Sequence, residues 1–302
     1  MRGLEAVWAS TIDRYPFLAE VPPFKSKELY QAYEKVFNEV RPINTVLELG
    51  IYQGGSLILW REALRCRVIG VDLSPPPKTA LLLERYVTES HSQHEMHTYW
   101  RTDQTNAVAL SDIVKTKAPA GLDVIIDDAS HLYTATRRSF EILFPLLRSG
   151  GIYAIEDWMA GKRPDFTTDD GPIARAIHEL VEEFATAVWP IDKIEIHADC
   201  ALVSKGLAGR PVLRKLLPER TRLGERFNPQ VSGRSALAVA CNNATRESVV
   251  VFAGTALETT LGSRHYLTAI VPDELVSKAG QYEVFLRDGG VESNRLSFDV
   301  EL

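Results

Sequence analysis

The stretch VLELGIYQGGSL, residues 46–57, joins an apolar run to a cluster of glycines. The run TVLEL is typical of a buried β-strand, and the following GGSLILWREAL carries apolar residues at helical spacing. The acid Glu48 and the glycines Gly50, Gly54 and Gly55 therefore lie where a strand turns into a helix. A strand, a tight turn and a helix in this order predict one unit of an α/β fold.

The same alternation continues to about residue 205. Four further stretches are predicted to be strands, namely CRVIGVDLS, MHTYWRTD, LDVIIDDASH and IYAIEDW. Amphipathic helical segments lie among them, and WPIDKIEIHADCALVSKG closes the region with two more predicted strands. Strands alternating with helices predict a doubly wound, mostly parallel, Rossmann-like sheet that is covered by helices on both faces.

Acidic residues lie at the ends of these predicted strands. The carboxyl ends of parallel strands share one edge of the sheet, and ligands of such sheets bind beyond that edge. The acids are therefore expected to meet around a ligand, although they are far apart in the sequence. They are Glu48, Asp72, Asp103, Asp127, Asp128, Glu156 and Asp157.

The domain organisation follows from a change of pattern after residue 205. Residues 1–40 are predicted to form a helical cap and residues 41–205 the α/β domain. The polar, basic and turn-rich residues 206–226 are interpreted as a linker. Short strands separated by turn signals then predict an all-β, immunoglobulin-like sandwich over residues 227–302.

Composition argues against several other classes of protein. The 302 residues are 45% hydrophobic and 25% charged, with a net charge of −6, which argues against a nucleic-acid-binding face. No apolar run approaches the roughly 18 residues of a membrane helix, and the N-terminal residues do not resemble a secretory signal. Three widely spaced cysteines indicate buried thiols in a reducing cytoplasm rather than a disulfide framework or a zinc site.

The glycine turn narrows the choice of cofactor. Such a turn before a helix suits either a pyrophosphate or the amino-acid end of S-adenosylmethionine (SAM). The carboxylate of Glu48 would repel a pyrophosphate and attract the ammonium of SAM, and the dinucleotide fingerprint GxGxxG is absent. Asp72 would accept hydrogen bonds from ribose hydroxyls in either case, so a nicotinamide-dependent oxidoreductase is kept as the alternative enzyme.

Four motifs carry a resemblance to a known family, namely ELGxxxGGS, VxGVDxS, IIDDASH and GGxYxIEDW. Together they resemble the class I SAM-dependent methyltransferases. More narrowly, they are similar to the metal-dependent sugar O-methyltransferases of macrolide biosynthesis and their cephalosporin-hydroxylase-like relatives. The resemblance covers about residues 40–205, and it implies a SAM-dependent O-methyltransferase acting on a hydroxyl of a sugar or a glycosylated small molecule.

The resemblance also implies roles for individual residues. Asp128, Glu156 and Asp157 would hold Mg²⁺ or another hard divalent cation, and His131 would be the general base beside Asp128. Hard cations favour carboxylate oxygens, and a bound cation would lower the pKa of the acceptor hydroxyl. The residues expected around SAM are Glu48, Gly50, Gly54, Gly55, Ser56, Asp72, Asp103 and Asp127.

Two of these assignments stay open at the level of the sequence. Asp127 alternates with Asp128 along the strand, so its side chain could face either the cofactor or the core. Asp103 could equally be a loop acid or a helix cap. The segment WMAGKRP also follows the paired acids where some relatives carry a histidine, which leaves the acceptor substrate open.

The C-terminal region resembles the IPT/TIG immunoglobulin-like module in the stretches VVVFAGT, LTAIVP, GQYEV and GGVESNRLSF. Such modules imply a spacer or a binding role, with a protein or a glycan as the partner. A non-catalytic protein that binds a glycan or a protein is therefore a third interpretation of the chain. The N-terminal helices leave open whether they cover the cofactor or form an interface in a homo-oligomer.

Overall fold

The computed structural model describes residues 3–40, 42–74, 77–162, 166–168, 170–185, 188–206 and 211–302. The chain divides into two compact units. The α/β unit comprises Met1–Val181 and Lys193–Lys205, and the β unit comprises Glu182–Asp192 and Gly206–Leu302.

Helices and strands alternate through the first part of the chain as the sequence predicts. In order they are α1 (Leu4–Arg14), α2 (Lys27–Glu39), β1 (Thr45–Leu49), α3 (Gly55–Leu64), β2 (Arg67–Val71), α4 (Pro77–Glu89), β3 (Met96–Tyr99), α5 (Ala107–Lys117), β4 (Leu122–Asp127), α6 (Tyr133–Leu143), β5 (Leu147–Glu156), β6 (Thr167–Thr168), β7 (Gly171–Pro172), α7 (Ala174–Ala185), β8 (Ile191–Ile196) and β9 (Cys200–Lys205). Short 3₁₀ helices lie at Pro16–Glu20, Phe144–Leu146 and Ala160–Lys162. Across the described ranges, no helix has both the length and the apolar character that crossing a membrane requires.

The central sheet has the strand order β3-β2-β1-β4-β5-β9-β8. The first five of these strands pair in parallel, and β9 pairs antiparallel with β5. This arrangement confirms the predicted Rossmann-like, mostly parallel sheet. The strand order reverses between β1 and β4, and such a reversal marks the edge where ligands of these sheets bind.

One face of the sheet packs against the N-terminal helices. Val46 of β1, Ile126 of β4 and Ala154 of β5 lie in one buried hydrophobic cluster with residues of α1, α2, α3 and α4. Helix α2 begins at an N-cap, where the Ser26 hydroxyl accepts a hydrogen bond from the Leu29 backbone nitrogen at 3.1 Å. Helices from residues 1–40 thus bury their apolar side chains in the same core as the sheet.

The β unit contains two sheets. Its strands are β10 (Val212–Leu217), β11 (Arg220–Arg222), β12 (Ser235–Asn242), β13 (Val249–Phe252), β14 (Thr255–Ala256), β15 (Thr259–Ser263), β16 (Tyr266–Val271), β17 (Gly280–Asp288), β18 (Val291–Glu292) and β19 (Leu296–Glu301), with a 3₁₀ helix at Asp273–Val276. One sheet has the order β10-β12-β16-β15, and the other has the order β11-β19-β17-β13-β14 with β18 paired to β17. Buried residues of both sheets, including Leu237 and Phe298, form one hydrophobic core.

The structure corrects the interpretation of residues 206–226 as a linker. Within this range β10 pairs antiparallel with β12, and β11 pairs in parallel with β19. Both strands lie at a sheet edge, where charged side chains are common because one side of the strand faces solvent. Such edge strands have the polar, basic composition of a linker, and β10 buries only two of its six side chains.

Candidate active site

Three acids lie on one face at the carboxyl edge of the central sheet. Glu48, Asp128 and Glu156 come from or directly follow the neighbouring strands β1, β4 and β5. Each lies two residues beyond a member of the hydrophobic cluster described above, and side chains two residues apart on a strand share a face. One side-chain oxygen of each lies within 4.8 Å of those of the other two. We call these three residues the inner cluster.

A lysine that the sequence did not single out lies within the inner cluster. The Nζ atom of Lys25 donates hydrogen bonds to Oδ2 of Asp128 and to Oε2 of Glu156, each at 2.6 Å. It also lies 3.7 Å from Oε1 of Glu48. Burial alone would lower the pKa of Lys25, but the carboxylates of Glu156, Asp128 and Glu48 raise it above its usual value. The three carboxylates thus favour the charged form of Lys25.

Glu156 uses both of its carboxylate oxygens within the protein. Oε2 accepts the hydrogen bond from Lys25, and Oε1 accepts one from the Tyr33 hydroxyl at 2.6 Å. Burial, followed by the nearby Asp128, raises the pKa of Glu156. Its side chain is thus turned toward α2, and its carboxylate groups with Glu48 and Asp128 rather than with Asp157, the partner that the family resemblance implies.

Glu48 is fully buried beneath α3. Its Oε2 accepts hydrogen bonds from the Ser56 hydroxyl at 3.0 Å and from the Trp60 indole at 3.2 Å. Its Oε1 has no hydrogen-bond partner among the described residues. Burial raises the pKa of Glu48 to about 7, although Lys25 lowers it. In this structure the side chains of Glu48 and Ser56 bond to each other in the interior, and their contact with SAM stays a prediction.

A second group of side chains lies further out. His131 places Nε2 at 3.9 Å from both Oδ1 of Asp128 and Oδ2 of Asp157. Both His131 and Asp157 have left-handed backbone conformations, with φ of 54° and 51°, which residues other than glycine rarely adopt. Burial and then the Asp128 carboxylate raise the pKa of Asp157, while His131 lowers it. We call Asp128, His131 and Asp157 the outer cluster.

The outer cluster has the donors that a hard cation requires. Its one nitrogen and two carboxylate oxygens lie within 4.8 Å of one another, and half of the Asp157 side chain is exposed. Mg²⁺ is commonly held by one or two carboxylates and keeps several waters, which needs an open position of this kind. Asp128 and Asp157 therefore fit a divalent cation, whereas the inner cluster already contains the ammonium of Lys25.

A cavity of ≈ 530 Å³ adjoins these clusters at the carboxyl edge of the sheet. Its lining includes Gly50, Asp72, Asp103, Gln104, Asp128 and Ser130. Three of the acids predicted at strand ends thus face one cavity of a size that suits a nucleoside ligand. Glu48, Gly54, Gly55, Ser56 and Asp127, which were also predicted to bind the cofactor, are not part of the lining.

Asp72 and Asp103 are each held in place by local hydrogen bonds. Oδ2 of Asp72 accepts from the backbone nitrogens of Ile51 at 2.7 Å and Tyr52 at 3.2 Å, which anchors the glycine turn to β2. Oδ1 of Asp103 accepts from the nitrogen and the hydroxyl of Thr105, and these bonds lower the pKa of Asp103. Asp103 is thus a loop acid that also faces the cavity.

The glycines of the turn make room for protein rather than for a ligand. A side chain at Gly50 would lie 2.0 Å from the carbonyl oxygen of Asp128, and one at Gly55 would lie 2.1 Å from that of Val21. At Gly54, where φ is 80°, a side chain would meet Leu83. Gly50 lines the cavity, whereas Gly54 and Gly55 lie against α4 and the segment that carries Lys25. The cofactor contacts of Gly54 and Gly55 stay predictions.

Asp127 faces the core on the other side of the sheet. Its carboxylate accepts hydrogen bonds from the hydroxyls of Ser139 and Tyr153, and Gln104 donates to it at 3.3 Å. Burial raises the pKa of Asp127 to about 6. Of the two positions that the sequence left open for Asp127, the structure selects the core.

Three residues of the site were missed from the sequence. Lys25 and Tyr33 come from the N-terminal segment, and Gln104 supports the cavity wall by accepting a hydrogen bond from the Ser130 nitrogen. The pairing of Tyr33 with Glu156 spans 123 positions. No local motif marks such a contact, although the three acids on one face of the sheet signal that a buried cation is needed.

Comparison with known proteins gives the same fold for this region. Residues 47–158 match the family model described as "Methyltransferase domain". The chain is similar to demethylmacrocin O-methyltransferase of Streptomyces fradiae, with 33% identity over 149 residues. It is also similar to 8-demethyl-8-alpha-L-rhamnosyl tetracenomycin-C 2'-O-methyltransferase of Streptomyces olivaceus, with 31% identity over 144 residues. These matches cover 46% and 45% of the chain and 34% of each relative.

A solved structure is similar over a larger part of the chain. MycE methyltransferase from the mycinamycin biosynthetic pathway, in complex with Mg and SAH, matches with a TM-score of 0.52 and 25% identity. The match covers 68% of the chain and 55% of that protein. The chain thus spans about half the length of this structure and about a third of each of the two sequence relatives. Residues 47–158 therefore match a methyltransferase domain model within a Rossmann-like α/β fold, and proteins named as O-methyltransferases are among the sequence relatives.

Proposed function

We propose that this chain is a SAM-dependent O-methyltransferase that acts on a hydroxyl of a sugar or of a glycosylated small molecule. The observation that carries the proposal is the shared position of Asp128, which lines the cavity and belongs to the outer cluster with His131. Asp128 thus lines the cofactor cavity and also lies beside His131, the proposed proton acceptor. The relatives named for the methylation of a rhamnosyl compound support a sugar as the acceptor.

The cavity binds SAM through its acids. Asp72 and Asp103 lie at the ends of β2 and β3, and their carboxylates accept hydrogen bonds from ribose hydroxyls. SAM carries a sulfonium and an ammonium, so a cavity lined by three acids favours it over an anionic dinucleotide. When bound, SAM supplies an electrophilic methyl group.

His131 acts as the general base. Its Nε2 would take the proton of the acceptor hydroxyl, and bound SAM would supply the methyl group to the oxygen, with cleavage of the S–CH₃ bond and departure as S-adenosylhomocysteine. Asp128 and Asp157 flank this nitrogen, each with a carboxylate oxygen 3.9 Å from Nε2. The ring also packs edge-on against Phe166, with ring centroids 5.6 Å apart, which limits its rotation.

Asp128 and Asp157 are the proposed ligands of Mg²⁺ or another hard divalent cation. When bound, the cation lowers the pKa of the acceptor hydroxyl. Mg²⁺ prefers oxygen ligands, so the imidazole of His131 stays free to take the proton. Glu156, which the sequence placed in the same set, has both oxygens engaged by Lys25 and Tyr33 and is left out of the proposal.

The β unit has the proposed role of a spacer or a binding module for a protein or a glycan. Its two sheets share one hydrophobic core. The proposal rests on the resemblance of residues 227–302 to the IPT/TIG module.

Methyl transfer can be tested with SAM that carries a trideuterated methyl group. The full chain is incubated with Mg²⁺ and a panel of rhamnosides and other deoxysugar glycosides, each matched with its aglycone. We expect one CD₃ group, detected by mass spectrometry, on glycosides and none on aglycones. A protein that binds SAM but labels only aglycones would refute the sugar acceptor, and a protein that does not bind SAM by calorimetry would refute the function.

A further inference from the structure

Lys25 is a buried cation to which the proposed function assigns no role. Only 2% of its side chain is exposed. It precedes Ser26, the N-cap of α2, so its backbone is fixed by the start of that helix. The segment before it passes over Gly55, where the carbonyl oxygen of Val21 would lie 2.1 Å from any side chain. A long flexible side chain is thus held at one point by structure on both sides.

The ammonium of Lys25 lies where a metal ion would lie among the inner carboxylates. It is 2.6 Å from an oxygen of Asp128 and 2.6 Å from an oxygen of Glu156. The Oε1 atom of Glu48 points to the same place from 3.7 Å and has no hydrogen-bond partner in the described ranges. Three carboxylates from three strands therefore surround one positive charge.

The buried carboxylates of the inner cluster need a permanently bound cation to compensate their charge. The side chains of Glu48 and Glu156 are 0% and 3% exposed, and clustered buried carboxylates are costly unless a cation compensates them. An ammonium in contact with two of the carboxylates also fills the space that a second cation would need. Lys25 thus meets the requirement without a metal.

We propose that Lys25 is the resident cation of the inner cluster and a positioning residue for the outer one. It holds Oδ2 of Asp128, which leaves Oδ1 of the same carboxylate facing Nε2 of His131. A divalent cation is thereby restricted to Asp128 and Asp157 and does not bind Glu156. This inference deepens the proposed function and rests on its metal site, but the position of Lys25 does not depend on SAM.

Binding of Mn²⁺ to the full chain tests this assignment without any turnover. Free Mn²⁺ is measured by electron paramagnetic resonance during titration of the wild type and of single variants, in the absence of SAM. We expect Asp157→Asn to weaken Mn²⁺ binding about tenfold or more. Glu156→Gln should change it by less than about threefold, because Glu156 contacts Lys25 and not the metal.

Removal of the ammonium should uncover the inner site. We expect Lys25→Met to bind one more Mn²⁺ than the wild type, or to bind it about tenfold more tightly, while Lys25→Arg keeps the wild-type behaviour. Should Lys25→Met fail to fold, Lys25→Met/Glu48→Gln carries the same measurement, because it removes one carboxylate charge together with the ammonium. Circular dichroism establishes that each variant is folded.

Two results would overturn the assignment. One is Mn²⁺ binding that is unchanged in the folded Lys25→Met variants. The other is a loss of binding in Glu156→Gln as large as that in Asp157→Asn, which would mean that a metal displaces Lys25. Calorimetry with SAM on the same wild-type preparation tests the proposed function separately, so its failure is distinguishable from failure of this inference.

Discussion

The inner and outer clusters share Asp128 but differ in how their charges are compensated. In the inner cluster, Glu48 and Glu156 are buried and the ammonium of Lys25 lies between the carboxylates. In the outer cluster, Nε2 of His131 lies 3.9 Å from a carboxylate oxygen of Asp128 and 3.9 Å from one of the exposed Asp157, which is too far for a hydrogen bond. One cluster is closed by short contacts, and the other is open.

Acidic residues thus have a structural role in the inner cluster and a chemical role in the outer cluster. Short, buried ion pairs fix geometry, since breaking one partner leaves an uncompensated charge. Open groups at longer distances keep room for a substrate or a cation and for a proton that must move. We therefore expect changes in the outer cluster to reduce turnover and changes in the inner cluster to reduce stability.

The largest expected effect is that of His131→Gln on turnover. Without the imidazole no group at this position takes the proton, so kcat should fall about 10³-fold, while the Kd for SAM stays within about twofold. The measurements are single-turnover methyl transfer and calorimetry. His178→Gln, an exposed histidine of α7, is the matched control and should keep full activity. If His131→Gln and the wild type had equal activity, His131 would not be the general base.

Asp128→Asn is the next largest change, because it affects both clusters. It removes the charge that faces His131 and one of the two carboxylates that bind Lys25. We expect kcat to fall about 10²-fold, with weaker Mn²⁺ binding and a retained fold. Asp112→Asn, an exposed acid of α5, is the control. A variant with full turnover but a large loss of stability would place Asp128 in the inner cluster alone.

The sequence predicts the sheet and the meeting of its acids well, for a local reason. Apolar runs such as TVLEL and VIID set each strand, and parallel strands bring their ends to one edge. Side chains alternate between the two faces of a strand, so Asp127 and Asp128 are expected to face opposite sides of the sheet, as are Glu156 and Asp157. Glu156 and Asp157 accordingly lie in different groups of possible metal ligands, and their joint role stays a prediction.

What the sequence does not predict is set by contacts between distant segments. Lys25 lies in a proline-containing stretch without periodicity, 103 positions before Asp128. The glycines of the turn are required by the approach of Asp128 and Val21 rather than by a ligand, and a glycine pattern looks the same in both cases. Edge strands β10 and β11 have the composition of a linker because one side of each strand is unpaired and carries charged side chains.

Tyr33→Phe tests the inner cluster through stability. The change removes the hydrogen bond to Oε1 of Glu156 and leaves that buried oxygen without its donor. We expect the free energy of unfolding to fall by about 1–3 kcal/mol, measured by urea unfolding, while kcat changes little. Tyr30→Phe on the same helix is the control, because Glu156 accepts its hydrogen bonds from Tyr33 and Lys25. A larger effect on turnover than on stability would contradict the closed character of the inner cluster.

The smallest expected effect is on the affinity for SAM. It is tested by comparing variants of Asp72 and Glu48, two acids that the sequence assigns to the same cofactor. Asp72 lines the cavity, whereas Glu48 bonds to Ser56 and Trp60 in the interior. Asp72→Asn should weaken SAM binding about tenfold, because it removes a charged acceptor and loosens the turn at Ile51. Glu48→Gln should leave the Kd for SAM within about twofold, since its side chain does not reach the cavity. The reverse order of the two effects in calorimetry would mean that Glu48 contacts the cofactor and that the inner cluster is not closed.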